Sequence, residues 1–200
     1  ATRGLRCDPG CILITGGTQQ GLRLCAEALL QPGDGVWLED PGYPAARRLF
    51  EAVGANAFAV PVDGAGLMVE VGRHRAPEVR FAYVTPSHQF PTGVAMSMER
   101  RVALLGWARE AGAWVLEDDY DSEFRYVGRP LPALMSLDTQ DRVIYSGTFS
   151  KVFSPIIRLG FLAVPRALVA TFREARASHG APPSLLVQPA LAEFMESGAF

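Results

Sequence analysis

Short runs of apolar residues alternate along the chain with segments whose apolar residues recur at helical spacing. The first run, Cys11–Thr15, predicts a buried strand. Apolar residues between Leu22 and Leu29 then repeat every three to four positions, which predicts a helix from Thr18 to Leu30. Pro and Gly in Gln31–Asp34 end that helix. The chain therefore opens with a strand and a helix.

The same alternation continues to the end of the chain. The further strands are predicted at Val36–Leu38, Asn56–Val62, Arg80–Thr85, Ala113–Leu116, Arg142–Tyr145 and Leu159–Val164, with a turn at Asp63–Gly66. A short further helix is predicted to end at about Ala52. Another begins after the N-cap Ser97 and has Met98, Val102 and Leu105 on one face. Two more are predicted at Arg166–Ser178 and Ser184–Ser197. This order predicts an α/β fold, one domain with a mostly parallel sheet and helices on both faces.

Composition narrows the possible functions. Hydrophobic residues make up 48% of the 200 residues and the net charge is −2, which favours a soluble globular domain and not a nucleic-acid-binding surface. No segment has the length of a transmembrane helix or the pattern of a signal peptide, so a cytoplasmic protein is expected. The three cysteines have no CxxC spacing and predict no disulfide or metal site, and Cys25 is expected in the core.

Polar and reactive side chains follow the predicted strands at the point where each strand ends. Ligands of open α/β sheets bind beyond the carboxyl ends of the strands, so these groups are expected to share one edge. They are Gly16–Gln19, Asp40 and Tyr43, Ser87–Gln89, Asp118 and Tyr120, and Thr148, Ser150, Lys151 and Arg158. The pattern predicts a site for a small, polar, anionic ligand.

Lys151 is the only lysine in the chain, beside 18 arginines. Arginine stays protonated, whereas a lysine can lose its proton in a desolvated site and form a Schiff base with a carbonyl. The alternative is a surface lysine in a chain that otherwise uses arginine for its positive charges.

Several groups near Lys151 are suited to a phosphate. Gly17 and Thr18 lead into a helix whose free N–H groups attract anions, although Thr18 is also suited to a simple N-cap. The guanidinium of Arg158 matches phosphate oxygens, and Thr148 and Ser150 add hydroxyls. A lysine for an aldehyde and these groups for a phosphate together predict pyridoxal phosphate (PLP).

Asp118 follows an apolar strand among three consecutive acids. A buried aspartate needs a cationic partner, and a pyridinium nitrogen is one. The alternatives are an N-cap or an ion pair with Arg125 or Arg129. Three further residues have two interpretations each: Tyr120 as a donor to a phenolic oxygen or a core residue, Tyr43 as a stacking ring or a packing residue, and His88 as a ligand contact or a cap.

Four segments carry a family resemblance. Ser146–Lys151, followed by Arg158–Gly160, resembles the cofactor-lysine segment of fold-type I PLP enzymes, the class I and II aminotransferases. Glu117–Tyr126, Gly128–Leu134 and Thr85–Gly93 resemble, more narrowly, the aminotransferase-like domain of MocR-type regulators in the GntR superfamily. In these transcription factors that domain follows a winged helix-turn-helix.

The resemblance implies the large domain of the PLP-dependent transferase fold over residues 1–200, with the winged helix and the C-terminal small domain outside this chain. It implies that Lys151 forms the Schiff base and that Asp118, or alternatively Glu117, pairs with the pyridine nitrogen. It assigns Tyr120 to the ring hydroxyl and Tyr43 to stacking on the ring. The phosphate falls to Gly17, Thr18, Gln19, Thr148 and Arg158.

One segment departs from the family pattern. Aminotransferases carry Asn-Pro-Thr-Gly where this chain has Phe90–Gly93, so the asparagine contact to the ring hydroxyl is absent. His88 or Gln89 is the candidate substitute.

The resemblance leads to a hypothesis of function and its alternatives. The first is a PLP-binding, effector-sensing and dimerisation domain of a transcriptional regulator, with an amino acid or amine as effector. Such a domain forms a homodimer and reaches DNA only through a domain not present in this chain. The alternatives are a PLP-dependent aminotransferase acting on an amino acid or amine, and a domain that has kept only the fold and dimerises.

Overall fold

The computed structural model describes residues 4–5, 7–121, 132–151, 153–154, 156–179 and 183–198. Eight strands form one sheet in these segments: β1 Ile12–Thr15, β2 Gly35–Asp40, β3 Asn56–Asp63, β4 Gly66–Leu67, β5 Phe81–Val84, β6 Trp114–Asp119, β7 Val143–Thr148 and β8 Gly160–Ala163. The helices are α1 Thr18–Leu29, α2 Pro44–Ala52, α3 Val69–Arg75, α4 Met98–Ala111, α5 Leu134–Leu137, α6 Val169–Ala177 and α7 Val187–Glu196. Short 3₁₀ turns, Pro9–Cys11 and Arg166–Leu168, precede β1 and α6.

The strand order is β1-β8-β7-β6-β5-β2-β3-β4. The central neighbours β3, β2, β5, β6 and β7 are all parallel, which confirms the predicted mostly parallel sheet. β8 lies between β1 and β7 and runs antiparallel to both. The carboxyl ends of β1, β2, β5, β6 and β7 therefore meet at one edge, and β8 begins there.

The core has two parts because neighbouring residues of a buried strand point to opposite faces of the sheet. On β6, Leu116 packs in the cluster that includes Leu22 and Cys25 of α1, so the prediction that Cys25 is a core residue is confirmed. Val115 packs in the other cluster, with Leu104 of α4. Helices thus cover both faces, as predicted.

Helix α4 buries a different face from the one that its hydrophobic pattern marks. Ser97 caps the helix as predicted, since its hydroxyl accepts a hydrogen bond from the Arg100 N–H at 3.2 Å. Met98 and Val102, however, are exposed at 41% and 60%, while Leu104 and the fully buried Arg101 face the sheet. An arginine in the buried stripe breaks the apolar periodicity on which the sequence-based prediction depends.

Three short elements were not predicted. β4 occupies the end of the segment predicted as a turn, and α3 and α5 have only seven and four residues. Elements this short give too few repeats for a periodic signal. Among the described residues, no helix has the length and the apolar character needed to cross a membrane.

Candidate functional site

A cavity of about 290 Å³ opens at the edge where the parallel strands end. Most of the residues that follow the predicted strands line it, whereas Asp40, Ser87, His88 and Gln89 do not. The lining residues among them are Gly16, Gly17, Thr18, Gln19, Tyr43, Asp118, Tyr120, Thr148, Ser150, Lys151 and Arg158. Tyr83, Thr85 and Phe90 line it as well and were not predicted as site residues. The topology thus brings residues from distant parts of the chain to one place.

The start of α1 forms one end of the cavity. Gly17 is the N-cap residue, and no side chain caps the helix. Thr18 is the first helical residue, so the alternative of Thr18 as a simple N-cap is wrong. An uncapped helix start presents backbone N–H groups and the positive end of the helix dipole, which together attract an anion.

β7 and β8 bring three more polar groups to this end. The hydroxyl of Thr148 accepts a hydrogen bond from the Ser150 N–H at 3.2 Å, which turns the chain beyond β7. Arg158 lies just before β8, is exposed, and has a left-handed backbone with φ 46°. Because β8 reverses direction, Arg158 reaches the same edge as Thr148. A phosphate is the anion that this set of hydroxyls and a guanidinium suits.

Replacing Gly17 with alanine should destabilise the chain by about 1–3 kcal/mol and weaken anion binding. Gly17 has φ 98° and ψ 178°, a conformation that residues with a β-carbon avoid. Gly33 is the matched control, with φ 95° in a turn outside the cavity. A β-carbon at either position would meet no atom within 4 Å, so each cost comes from the backbone alone. Chemical denaturation and phosphate titration of both variants check this: only Gly17→Ala should lose phosphate affinity.

The three acids of β6 have separate roles. Glu117 accepts hydrogen bonds from the N–H groups of Leu134 and Met135 at 2.9 and 3.0 Å, and so caps the start of α5. Asp119 accepts a hydrogen bond from the Tyr145 hydroxyl at 2.6 Å. Asp118, between them, points to the opposite face and lines the cavity. Of the two acids proposed for the pyridine nitrogen, Asp118 is the one at the cavity.

Asp118 has one oxygen in use and one free. Its Oδ2 accepts a hydrogen bond from the Tyr83 hydroxyl at 2.7 Å. Its Oδ1 is buried and has no hydrogen-bond partner in the described part of the chain. The N-cap alternative for Asp118 is wrong, because neither of its oxygens accepts a hydrogen bond from a backbone N–H of the described residues. Arg125 and Arg129, the other alternative partners, lie outside the described residues.

Burial raises the pKa of Asp118 to about 7, and the nearby carboxylates of Asp119, Glu39 and Asp121 act in the same direction. The hydrogen bond from Tyr83 opposes this increase in the pKa. A buried carboxyl with a free oxygen and acidic neighbours lacks a positive charge. The protonated nitrogen of a pyridine ring would supply that charge, so Asp118 fits such a ligand.

Replacing Asp118 with asparagine should stabilise the ligand-free chain at pH 7.5 by on the order of 2 kcal/mol. The pKa of Asp118 is higher in the folded state than the ordinary 3.8. The unfolded chain therefore loses its proton first as the pH rises, and stability falls between about pH 4 and pH 7. Asparagine does not titrate and keeps a carbonyl for the Tyr83 hydroxyl.

Thermal unfolding from pH 4 to pH 8 checks this prediction. The stability of the wild type should decline more steeply than that of Asp118→Asn across that window. Glu117→Gln is the comparison for a buried acid outside the cavity lining: burial also raises the pKa of Glu117 to about 7, so its replacement should likewise make the decline less steep. Equal slopes for the wild type and Asp118→Asn would contradict the prediction.

Aromatic residues form the side of the cavity. The rings of Tyr43 and Phe90 meet edge to face, with centroids 5.5 Å apart. Gln19 Nε2 donates a hydrogen bond to the Tyr43 hydroxyl at 3.2 Å, which links this wall to α1. Phe90 stands where the family carries asparagine, so this part of the wall is apolar. The arrangement suits the face of a planar ring.

Neither candidate for the missing asparagine contact lines the cavity. The Nδ1 of His88 lies 2.5 Å from Asp121 Oδ2, and the His88 side chain lies outside the cavity lining. Gln89 is buried, and its amide nitrogen donates to Pro41 O at 2.8 Å while its oxygen accepts from the Thr92 hydroxyl. The ring-hydroxyl contact therefore falls to neither residue in this geometry.

Tyr120 lines the cavity, yet its hydroxyl donates a hydrogen bond to the His88 carbonyl at 2.9 Å. This contact ties the end of β6 to the loop after β5. Lys151 follows Ser150 at the rim and is exposed, so its amine is accessible from the cavity mouth. No other amine side chain exists in the chain.

Two of the residues that sequence reasoning missed, Tyr83 and Thr85, lie at the end of β5. Each had a signal: Tyr83 is a polar-tipped residue in an otherwise apolar run, and Thr85 directly follows the strand. The Thr85 hydroxyl donates to Glu39 Oε2 at 2.6 Å, which joins the ends of β5 and β2.

Comparisons with known proteins agree with this geometry. The family model for aminotransferase class I and II matches residues 3–200. The chain is 42% identical over 200 residues to a probable rhizopine catabolism regulatory protein, MocR, of Rhizobium meliloti, and covers 40% of that protein. It is 39% identical over 197 residues (98% of this chain) to the pyridoxine biosynthesis transcriptional regulator PdxR of Corynebacterium glutamicum and covers 42% of it.

Among solved structures, the kynurenine aminotransferase of Pyrococcus horikoshii superposes with a TM-score of 0.90 at 34% identity, over 94% of this chain and 48% of that one. Its crystal structure contains PMP and KYN as substrates and KYA as product. The chain spans less than half the length of each of these three relatives.

Proposed function

Because the chain belongs to the aminotransferase class I and II family, whose cofactor is PLP, we propose that it is the cofactor-binding, effector-sensing domain of a transcriptional regulator. The observation that carries the proposal is the convergence of Lys151, the free oxygen of Asp118 and the uncapped start of α1 on one cavity. Sequence identity of about 40% to two regulators over nearly the whole chain favours sensing over turnover.

Each part of the cavity has a role toward the cofactor. The start of α1, Thr18, Thr148 and Arg158 would hold the phosphate, because they supply N–H groups, hydroxyls and a guanidinium. Asp118 would hold the proton of the ring nitrogen through its free oxygen. Tyr43 would cover a face of the ring.

The cofactor, when bound, supplies an electrophilic aldehyde carbon that reacts with primary amines. Lys151 lines the cavity and would supply the primary amine for that carbon through its unprotonated Nζ. An amino acid or amine effector carries the same functional group and would compete with Lys151 for it. The Lys151 side chain would then be released from the cofactor, and this would be the local change that a regulator transmits.

DNA would be bound by a further domain of the regulator, and the protein would act in the cytoplasm. We also propose a homodimer. Large apolar side chains are exposed beyond Lys151 and before α7, namely Phe153, Ile156, Leu185 and Leu186, and such patches mark interaction surfaces.

Covalent labelling tests the proposed cofactor site. The chain is incubated with PLP, reduced with borohydride and digested, and the peptides are analysed by mass spectrometry. A pyridoxyl group on Lys151 is expected, together with visible absorbance before reduction. Absence of both would contradict the proposal and favour a domain that has kept only the fold.

The alternative function is an aminotransferase, favoured by the likeness to the kynurenine aminotransferase. A panel of amino acids and amines, each with PLP and a keto acid acceptor, distinguishes the two. A sensor should change its visible spectrum with one class of amine without sustained keto acid release. Multiple turnovers of keto acid would support the enzyme instead.

A further inference from the structure

Tyr83 is a buried residue of the cavity wall for which the proposed site has no role so far. It lies on β5, is 2% exposed, and lines the cavity. Its hydroxyl donates to Asp118 Oδ2 at 2.7 Å. The hydrogen bond joins two neighbouring strands directly beneath the site.

We propose that Tyr83 is a positioning residue, which fixes the carboxylate of Asp118 so that its second oxygen is held toward the ring nitrogen of the cofactor. The inference rests on the proposed cofactor site. It assigns the specificity of that site for a ring nitrogen to Tyr83, which was not predicted as a site residue from the sequence.

The strand register explains the geometry. Tyr83 pairs with Leu116 in the parallel ladder between β5 and β6. Asp118 is two positions further along β6, so Leu116 and Asp118 point to the same face of the sheet. The Tyr83 ring packs in the same core cluster as Leu116, with its centroid 6.2 Å from that of Phe50. A ring held by packing places its hydroxyl at one point, which makes it a fixed donor.

The hydrogen bond from Tyr83 affects the ionisation of Asp118, which the surrounding charges oppose. The groups that act on Asp118 or respond to its charge are Glu39 on β2, Tyr83 on β5, Asp119, Tyr120 and Asp121 at the end of β6, and Cys25 on α1. The acids among them oppose its ionisation, whereas the Tyr83 hydroxyl donates to the ionised form and favours it. Without that donor, the pKa of Asp118 would rise further, and forming the ionised carboxylate that pairs with a pyridinium would cost more free energy.

The test compares two ligands in the full chain. One is PLP, and the other is its analogue in which a C–H group replaces the ring nitrogen. Tyr83→Phe should lower the affinity for PLP by about tenfold, because the ionised carboxylate of Asp118 loses its donor, and leave the affinity for the analogue unchanged. Tyr145→Phe is the matched control, since Tyr145 makes a similar buried bond to Asp119 at 2.6 Å and lies outside the cavity lining.

A double-mutant cycle separates positioning from packing. In an Asp118→Asn background, Tyr83→Phe should have no further effect on PLP affinity. Equal losses for PLP and the analogue, or an unchanged PLP affinity in Tyr83→Phe, would overturn the inference while leaving the cofactor site intact. A wild-type chain that binds neither ligand would overturn the proposed function and this inference with it.

Discussion

Replacing Lys151 with alanine should abolish borohydride-stable attachment of PLP while leaving the fold intact. Lys151 is exposed in the loop after β7, so its truncation should change the free energy of unfolding by less than about 0.5 kcal/mol. Covalent attachment requires an amine, and Lys151 is the only lysine. Peptide mass spectrometry after reduction measures the attachment, and thermal unfolding measures the stability.

Lys151→Arg is the control for charge. Arginine keeps the positive charge near the residues proposed to bind the phosphate but cannot act as an amine nucleophile. Both variants should therefore lack the pyridoxyl group, while the arginine variant retains more noncovalent affinity for PLP. A pyridoxyl group that persists in Lys151→Ala at wild-type yield would contradict the role assigned to Lys151.

The position of the site could be predicted from sequence because parallel strands end at a common edge. The residues that follow the predicted strands include eleven that line one cavity. They also include His88, whose backbone is at that edge while its ring pairs with Asp121. Side-chain direction within a loop depends on partners that the sequence does not place.

The choice between Glu117 and Asp118 also required the structure. Alternation along a strand predicts that they point to opposite faces, but not which face carries the ligand. The answer depends on α5, a four-residue helix whose N–H groups bind Glu117. The reversed direction of β8 was hidden for a similar reason: strand direction depends on how the segment between Thr148 and Gly160 turns, and hydrophobic periodicity carries no such information.

Residues at the cavity have features that usually destabilise a fold, namely buried carboxyl groups and an unfavourable backbone conformation. Asp118 is buried between two other buried acids on β6, and the non-glycine residue Arg158 has a positive φ angle. Such violations concentrate at functional sites, where binding offsets their cost. A cofactor with a ring nitrogen and a phosphate would offset the charge of Asp118 and use the helix start at Gly17, so PLP should raise the unfolding temperature.

Arg101 is the buried residue whose loss should destabilise the protein most. It is fully buried on α4, where its guanidinium donates to the carbonyl oxygens of Met96 at 3.0 Å, Pro132 at 3.0 Å and Pro86 at 2.7 Å. These contacts connect the helix to the loop after β5, which carries Phe90, and to the segment before α5. Arg101→Met should lower the free energy of unfolding by about 3 kcal/mol or more, because it removes the charged donor of two buried carbonyls and one partly buried carbonyl.

Arg109→Met on the same helix is the matched control, since the Arg109 side chain is 63% exposed and its loss should cost less than about 0.5 kcal/mol. Urea denaturation measures both variants. PLP titration adds a second measurement: a displaced loop after β5 moves Phe90 against Tyr43, so Arg101→Met should also lose cofactor affinity at temperatures where it remains folded. Equal stability of the two variants would mean that water replaces the guanidinium, and that the loop after β5 is held by its own contacts and not by α4.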